Sequence, residues 1–325
     1  MATIKDIAAK TGLAVGTVSR VMNNRGYISK ETRDKVLEAM KSLNYKPNEL
    51  ARSLTKKNTN MLGIIMPHIE HPYFSRLISR LERAASRYGY KILLCNTREN
   101  FEREKDYIDL CLSNRVSGII ICSSSVRELE LATSGIPVVV MEKWRVEGVF
   151  SVDCDNYQGG KLATEYLIQR QCKNLLYLGN IINVSMPADD RSSAFWDTVN
   201  RYKVQANEVQ CTQDSYNTME YRDFIRNALK KYPNTDGIFT SGDLLAAQAL
   251  QICAQLGKRV PEDIKIIGFD DSLIATQTCP QITTIRQPLK EMAEAAVQII
   301  VQTNRGEIAP LHITLPVSLI ERGSC

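Results

Sequence analysis

From Met61 onward, short apolar runs alternate with amphipathic stretches at helical spacing. The runs Leu62–Met66, Lys91–Cys95, Gly118–Cys122, Val138–Met141, Leu175–Leu178, Gly237–Thr240 and Lys265–Gly268 predict strands. Between them, stretches at about 74–88, 101–114, 156–171, 190–203, 218–231 and 243–256 predict helices. Alternation of this kind predicts an α/β body, with parallel sheets covered on both faces by helices. The length suits two such sheets. A break at 150–157 (Phe150–Ser151–Val152–Asp153–Cys154–Asp155–Asn156) divides the halves. The last segment reads as a strand at 282–286, a helix at 288–304 and a strand at 311–320 that return to complete the sheets.

Residues 3–54 follow a different pattern, with apolar positions at helical spacing in three short blocks. Thr3 with Asp6 three residues on has the form of a capping box, in which hydroxyl and carboxylate each take an orphan N–H. The helix it opens runs to about Lys10, and Gly12 supplies a left-handed stop. A second short helix holds Val15 to Asn23. Ser29 caps a third, with Val36, Leu37, Met40 and Leu43 on one face. Two short helices joined by a tight glycine turn form a helix-turn-helix pattern, which places the second helix in the major groove. Tyr45–Lys46–Pro47 ends the third helix, because proline disfavours helical geometry in the residue before it.

Charge sharpens that reading. Residues 1–60 carry 12 Lys and Arg against 5 Asp and Glu (+7), and the remaining residues carry 29 against 31 (−2). A small basic helical head on a near-neutral body fits phosphate binding. No apolar run approaches the roughly 20 residues that span a bilayer, and the polar, helical N-terminus carries no apolar signal core. The nine cysteines are scattered without a C-x-x-C pair. They predict reduced, mostly buried thiols and a cytoplasmic protein without membrane partners. His68, His71 and His312 form no ligand set with cysteine, so neither a metal nor another cofactor is expected. No G-x-S-x-G, P-loop or G-x-G-x-x-G stands in the chain. Asp189–Asp190–Arg191 reads as a charged helix start rather than a pair of acids with Asp153 and Asp155. Catalysis is not expected.

The run Ile4–Lys5–Asp6–Ile7–Ala8, then Gly12, Thr17–Val18–Ser19–Arg20–Val21 and Asn23, resembles the lactose/galactose repressor family of bacterial transcriptional regulators. So do Ser29, Thr32–Arg33, Val36, Ala39–Met40, Leu43–Asn44–Tyr45–Lys46–Pro47–Asn48, Ala51–Arg52 and Leu54. The resemblance covers essentially the whole chain. It implies an N-terminal helix-turn-helix head (1–46), a hinge helix and linker (47–60) and a periplasmic-binding-protein-like body (61–325) of two doubly wound parallel-sheet subdomains. Subdomain one takes about 61–155 and 288–310; subdomain two takes about 156–287 and 311–325. The chain then crosses between them three times, and a small effector lies in the cleft.

The resemblance also implies roles. Ile4, Val15, Gly16, Thr17, Ser19, Arg20, Asn23, Ser29, Thr32 and Tyr45 meet the DNA; Asn48, Ala51 and Leu54 enter the minor groove, where the leucine wedges open a base step. Val15 and Gly16 stand at the two main base-reading positions and carry no side-chain hydrogen-bonding group, so Arg20 bears much of the direct readout. Ala14 replaces a usual capping serine, which costs about 1 kcal/mol.

In the body, ligands bind beyond the carboxyl ends of strands. Glu142, Arg191 and Asp270 stand there, where the family holds effector hydroxyls or carboxylates. A guanidinium fork with paired carboxylates suits a polyhydroxylated ligand. Tyr73 or Phe74 can stack on a sugar face. Gly242, in place of a usual asparagine, and Ala194, in place of a usual glycine, separate this cleft from its relatives'. The expected function is a repressor of carbohydrate-utilisation genes. It binds a near-palindromic double-stranded operator as a homodimer, since no heptad tail follows the last strand, and a sugar or sugar phosphate releases it. The alternative is a corepressor-dependent regulator, in which a metabolite or a phosphorylated carrier protein, docking on Ser75 to Arg87, raises DNA affinity.

Overall fold

The computed structural model describes residues 2–22, 25–45, 59–122, 135–142, 148–179 and 187–325. The chain divides into two compact units, Met1–Thr59 and Asn60–Cys325. The expected hinge residues Asn48, Ala51 and Leu54, together with Asn23, lie outside the described residues.

In the first unit, helix α1 (Ile4–Thr11) opens on the expected capping box. The Thr3 N–H donates to Asp6 Oδ2 at 2.7 Å, and the Asp6 N–H reaches Thr3 Oγ1 at 3.4 Å. Gly12 closes the helix at φ +67°, a conformation only glycine adopts freely. Helix α2 (Val15–Met22) follows, then α3 (Lys30–Ser42), whose first turn is capped by Ser29 Oγ accepting from the Thr32 N–H at 3.2 Å. Ile7, Ala8, Val18, Val21, Val36 and Ala39 form the buried core. A core this small leaves little stability in reserve.

The second unit alternates strand and helix. Strand β1 (Met61–Met66), helix α4 (Pro72–Arg87), β2 (Lys91–Asn96), α5 (Phe101–Ser113), β3 (Gly118–Ile121), β4 (Val138–Met141) and β5 (Phe150–Cys154) build the first half. Helix α6 (Asn156–Gln169) then leads into β6 (Asn174–Gly179), α7 (Asp190–Tyr202), β7 (Gln205–Gln210), α8 (Gln213–Thr218), α9 (Arg222–Lys231) and β8 (Gly237–Thr240). The chain continues through α10 (Asp243–Gln255), β9 (Lys265–Asp270), α11 (Leu273–Gln277), β10 (Thr283–Arg286), α12 (Leu289–Asn304), β11 (His312–Leu315) and β12 (Ser318–Ile320).

Among the described residues two sheets form, in the orders β11-β5-β4-β3-β1-β2 and β12-β10-β9-β8-β6-β7. All pairings are parallel except β10 with β12. Strands buried on both faces read as continuous apolar runs, which is why β1, β3, β4 and β8 are legible in sequence. Helix α12 returns to the first half, placing Met292, Ala293 and Ala296 in one core with Leu77 and Leu81 of α4. The chain therefore passes between halves after β5, after β10 and after β11.

Two expectations are corrected, and one strand is added. The break at 150–157 contains a strand, β5, because its polar Ser151 and Asp153 are buried within the sheet. The single strand expected at 311–320 is two: β11 joins the first sheet and β12 the second, so 312–315 belongs with subdomain one. Pro316, which has no N–H to give a ladder, stands between them. The added strand is β7 (Gln205–Gln210), a half-buried sheet edge that carries no apolar run.

Candidate functional site

The carboxyl ends of β4, β5, β8, β9 and β10 converge on a buried ionic cluster. Glu142 leaves β4 with φ +54°. Its Oε1 accepts from the Cys154 N–H at 2.7 Å and its Oε2 from Asn156 Nδ2 at 2.8 Å. Asn156 opens α6, so one carboxylate ties the first half to the start of the second. Arg191, on the first turn of α7, donates from Nε to Asn156 Oδ1 at 2.7 Å and from Nη1 to the Ser241 carbonyl at 2.6 Å. Its guanidinium lies 3.6 Å above the Phe269 ring centre, and Nη2 stands 3.9 Å from Glu142 Oε2. Cation–π contact and hydrogen bonds together offset the cost of burying this charge.

Asp270 ends β9 at φ +106°, a conformation costly for a residue with a Cβ, and accepts from Gln287 Nε2 at 2.7 Å. Burial pushes its carboxyl well above the usual range, against the pull of Arg191. Burial works against the Arg191 charge, but Asp270, Cys154 and Glu142 outweigh it and hold the guanidinium pKa above its ordinary value. The neighbouring Asp271 carboxylate takes Arg286 Nε at 2.6 Å and Arg322 Nη2 at 2.5 Å, while its carbonyl accepts from Arg76 of α4. That last bond joins the two halves across the cleft.

Three polar atoms beside this cluster are buried with no hydrogen-bond partner among the described residues: Tyr73 Oη, Ser241 Oγ and Gln287 Oε1. Buried polar groups are nearly always paired, so three unpaired ones near one cluster suit a polar bound molecule. Donors, acceptors and the ionisable groups of Glu142, Arg191 and Asp270 thus gather where the two halves meet.

In the head, α2 buries Val18 and Val21 and turns Val15, Gly16 and Arg20 to the surface, with Thr17 and Ser19 half-buried. A Cβ placed on Gly16 would meet nothing within 4 Å. Ile4, Thr32 and Tyr45 are half-buried, and Ile4 and Tyr45 pack against the head's core. The Ser29 and Thr32 hydroxyls lie 2.8 Å apart at the cap of α3.

Residues 3–48 match the model of the bacterial regulatory proteins of the lacI family, and residues 164–325 match a periplasmic binding protein-like domain. The chain is 34% identical over 323 residues to the ribose operon repressor of Halalkalibacterium halodurans, covering 99% of this chain and 96% of that one. The chain belongs to the lacI family. It is also 31% identical over 320 residues to the sucrose operon repressor of Pediococcus pentosaceus, covering 98% of each. The lac repressor dimer bound to operator and the anti-inducer ONPF shares its fold at a TM-score of 0.89 and 23% identity, over 99% of this chain and 98% of that one. Members of the lacI family are repressors, not enzymes. No described helix is long and apolar enough to cross a membrane, and no described group of His, Cys, Asp or Glu could hold a metal.

Within this lacI-family body, Glu142, Arg191 and Asp270 meet in one cluster. Tyr73 stands close enough to feel the Glu142 and Asp270 charges but makes no hydrogen bond to them: its ring is buried in the core, edge-on to Phe74 at 5.0 Å, and leaves no free face for stacking. Phe74 is half-buried against that core. The sequence reading missed Asn156, Ser241, Phe269 and Gln287. All four sit at or just past strand ends, the same positional signal that singled out Glu142 and Arg191. At Gly160 a Cβ would lie 2.5 Å from the Arg191 carbonyl oxygen and 2.9 Å from its Cα. That glycine lets α6 press on the first turn of α7 and so fixes where Arg191 starts.

Proposed function

We propose that this chain represses carbohydrate-utilisation genes, binding a near-palindromic operator as a homodimer in the cytoplasm and leaving it when a sugar or sugar phosphate fills the cleft. No cofactor beyond that effector takes part. The observation that carries the sugar is the set of buried, unpaired polar atoms Tyr73 Oη, Ser241 Oγ and Gln287 Oε1 near Arg191 and Asp270. A polyhydroxylated ring satisfies such a set, because each hydroxyl both donates and accepts. The relatives that repress ribose and sucrose operons support the same class.

The mechanism follows from the crossings. The polypeptide passes between the halves at three places, after β5, after β10 and after β11, and rotation about these passages is the hinge motion available to it. Glu142 from one half meets Asn156 and Arg191 from the other. A sugar that draws on Arg191 and Asp270 changes the balance of these bonds and hence the angle between halves. Coupling between cleft and operator is then a free energy shared by both ligands.

Selection of duplexes from a random library by the purified chain should enrich one two-fold-related site. A thermal-shift screen of sugars should give a ligand that weakens binding to that site at least about tenfold, or about 1.4 kcal/mol. Arg191→Ala should bind the same duplex and ignore the sugar. No enrichment, or an unaltered response in Arg191→Ala, contradicts the proposal; a ligand that tightens binding reverses its sign.

A further inference from the structure

A second hollow lies farther along the same cleft. It has a volume of about 250 Å³ and is lined by His68, Ile69, Glu70, Asn96 and Arg98 from the first half and by Asn217, Thr218 and Met219 from the second. At roughly 30 Å³ per water it holds about eight waters, and it falls just below the roughly 300 Å³ at which pockets for drug-sized ligands begin. That is room for one sugar ring.

Its position follows from strand order. His68 stands just past β1 and Asn96 ends β2, the outermost strand of the first sheet. Met219 follows α8, itself just past β7, the outermost strand of the second. Glu142 stands past β4, two strand positions from β1. At ~4.8 Å per strand the hollow is therefore roughly 10 Å from the ionic cluster, which is the reach of two linked sugar rings. Tyr73, five residues after His68 and on the first turn of α4, stands beside the inner cluster.

The hollow is built rather than merely open. His68 is 7% exposed, and its Nε2 has no partner among the described residues; nor has Asn96 Oδ1. Burial first, then Arg98, lowers the His68 pKa against Glu70, so the imidazole is neutral at pH 7 and offers a neutral hydrogen-bonding edge. His68 is held edge-to-face by Tyr216 of the opposite half at a 5.4 Å ring separation. Arg98 and Glu70, both exposed at the rim, cancel in charge. An unpaired anion such as phosphate gains from Arg98 and loses to Glu70, whereas a neutral polyol uses both. Met219, half-buried, adds an adaptable apolar patch for a ring face.

We infer that this hollow is a second compartment of the effector cleft, holding the second unit of a neutral disaccharide whose first unit lies at Arg191 and Asp270. The inference rests on the sugar-binding reading above.

Calorimetric titration of the full chain with glucose, fructose, galactose and ribose, and with sucrose, cellobiose, maltose, lactose and trehalose, separates the two readings. One disaccharide should bind at least about tenfold tighter than either of its component sugars. Met219→Trp, which fills the hollow, should abolish that gain while leaving the component sugar's affinity within about twofold. Arg98→Ala, at an exposed position where folding is not at stake, should reduce the gain by about threefold or more. Monosaccharide binding without any disaccharide gain overturns the second compartment and leaves the inner site standing. So does a gain that survives both variants. Failure of all nine sugars to bind overturns the second compartment, and a thermal-shift screen that then finds no sugar phosphate either overturns the inner site as well.

Discussion

The surface of α2, proposed to read DNA, and the ionic cluster of the cleft, proposed to hold the effector, are built on opposite principles. On α2, Val15, Gly16 and Arg20 face water. In the cleft, Arg191, Asp270 and Asn156 are almost wholly buried, and Arg191 and Asn156 each hold more than one partner. The difference teaches how each site should respond to change. Exposed residues on a small head act singly, so substitutions there alter recognition and leave stability nearly intact. Cross-linked buried charges act as a unit, so a substitution there is felt by the fold.

The largest expected effect tests the unit directly. Arg191→Met leaves Glu142 and Asp270 in the interior without their cation, and breaking a buried pair in this way costs about 3–5 kcal/mol. Adding Glu142→Gln removes one stranded carboxylate, while its amide oxygen can still accept from the Cys154 N–H. Urea denaturation of the double variant should show at least about 1 kcal/mol less loss than the two single losses summed. Strict additivity would mean that the cluster is a set of independent contacts and that the contrast with α2 is misplaced.

How much of each region the sequence discloses follows from the same contrast. The head is local: Thr3 and Asp6 are three residues apart, as are Ser29 and Thr32, and both caps form as their spacing requires. The apolar strands are equally plain. The cleft is not local, since its partners meet only when two sheets are assembled. Glu142, Arg191 and Asp270 were found because they follow apolar runs, and the family resemblance gave them roles. Gln287 meets Asp270 across 17 residues, and the Ser241 carbonyl meets Arg191 across 50, and no periodicity marks either pair. Strand β5 stayed hidden because Ser151 and Asp153 look like solvent-facing residues. In the sheet, Ser151 Oγ is 2.9 Å from His312 Nδ1, contributed by β11 from 161 residues away.

A smaller effect should appear on the head. Arg20 is exposed on α2, and its side chain makes no hydrogen bond or ion pair among the described contacts. Arg20→Ala should flatten preference at one base pair in each half-site by about 1–3 kcal/mol, measured as competition between the selected duplex and single-base variants. The urea midpoint of the body should not move. Retained preference would reduce Arg20 to a phosphate contact, visible instead as a shallower salt dependence.

The same substitution made at two glycines gives the sharpest form of the comparison. At Gly160 a methyl group would stand 2.5 Å from the backbone oxygen of Arg191, an atom that cannot swing aside. Gly160→Ala should therefore destabilise the body by about 1–3 kcal/mol, and by moving α7 it should blunt the sugar response as well. At Gly16 the methyl meets nothing within 4 Å, and the residue already sits in α2. Gly16→Ala there restricts the unfolded chain more than the folded one and should stabilise by about 0.4–1 kcal/mol. Amide hydrogen exchange in the full chain reads this as protection of α2 rising by about two- to fivefold. Opposite signs from one chemical change would establish that the reading surface is a place where backbone and solvent decide, and the cleft a place where packing does. Equal signs would show that α2 is already pressed against something, and that its bare surface at Gly16 is shaped for contact within the protein rather than for a base edge.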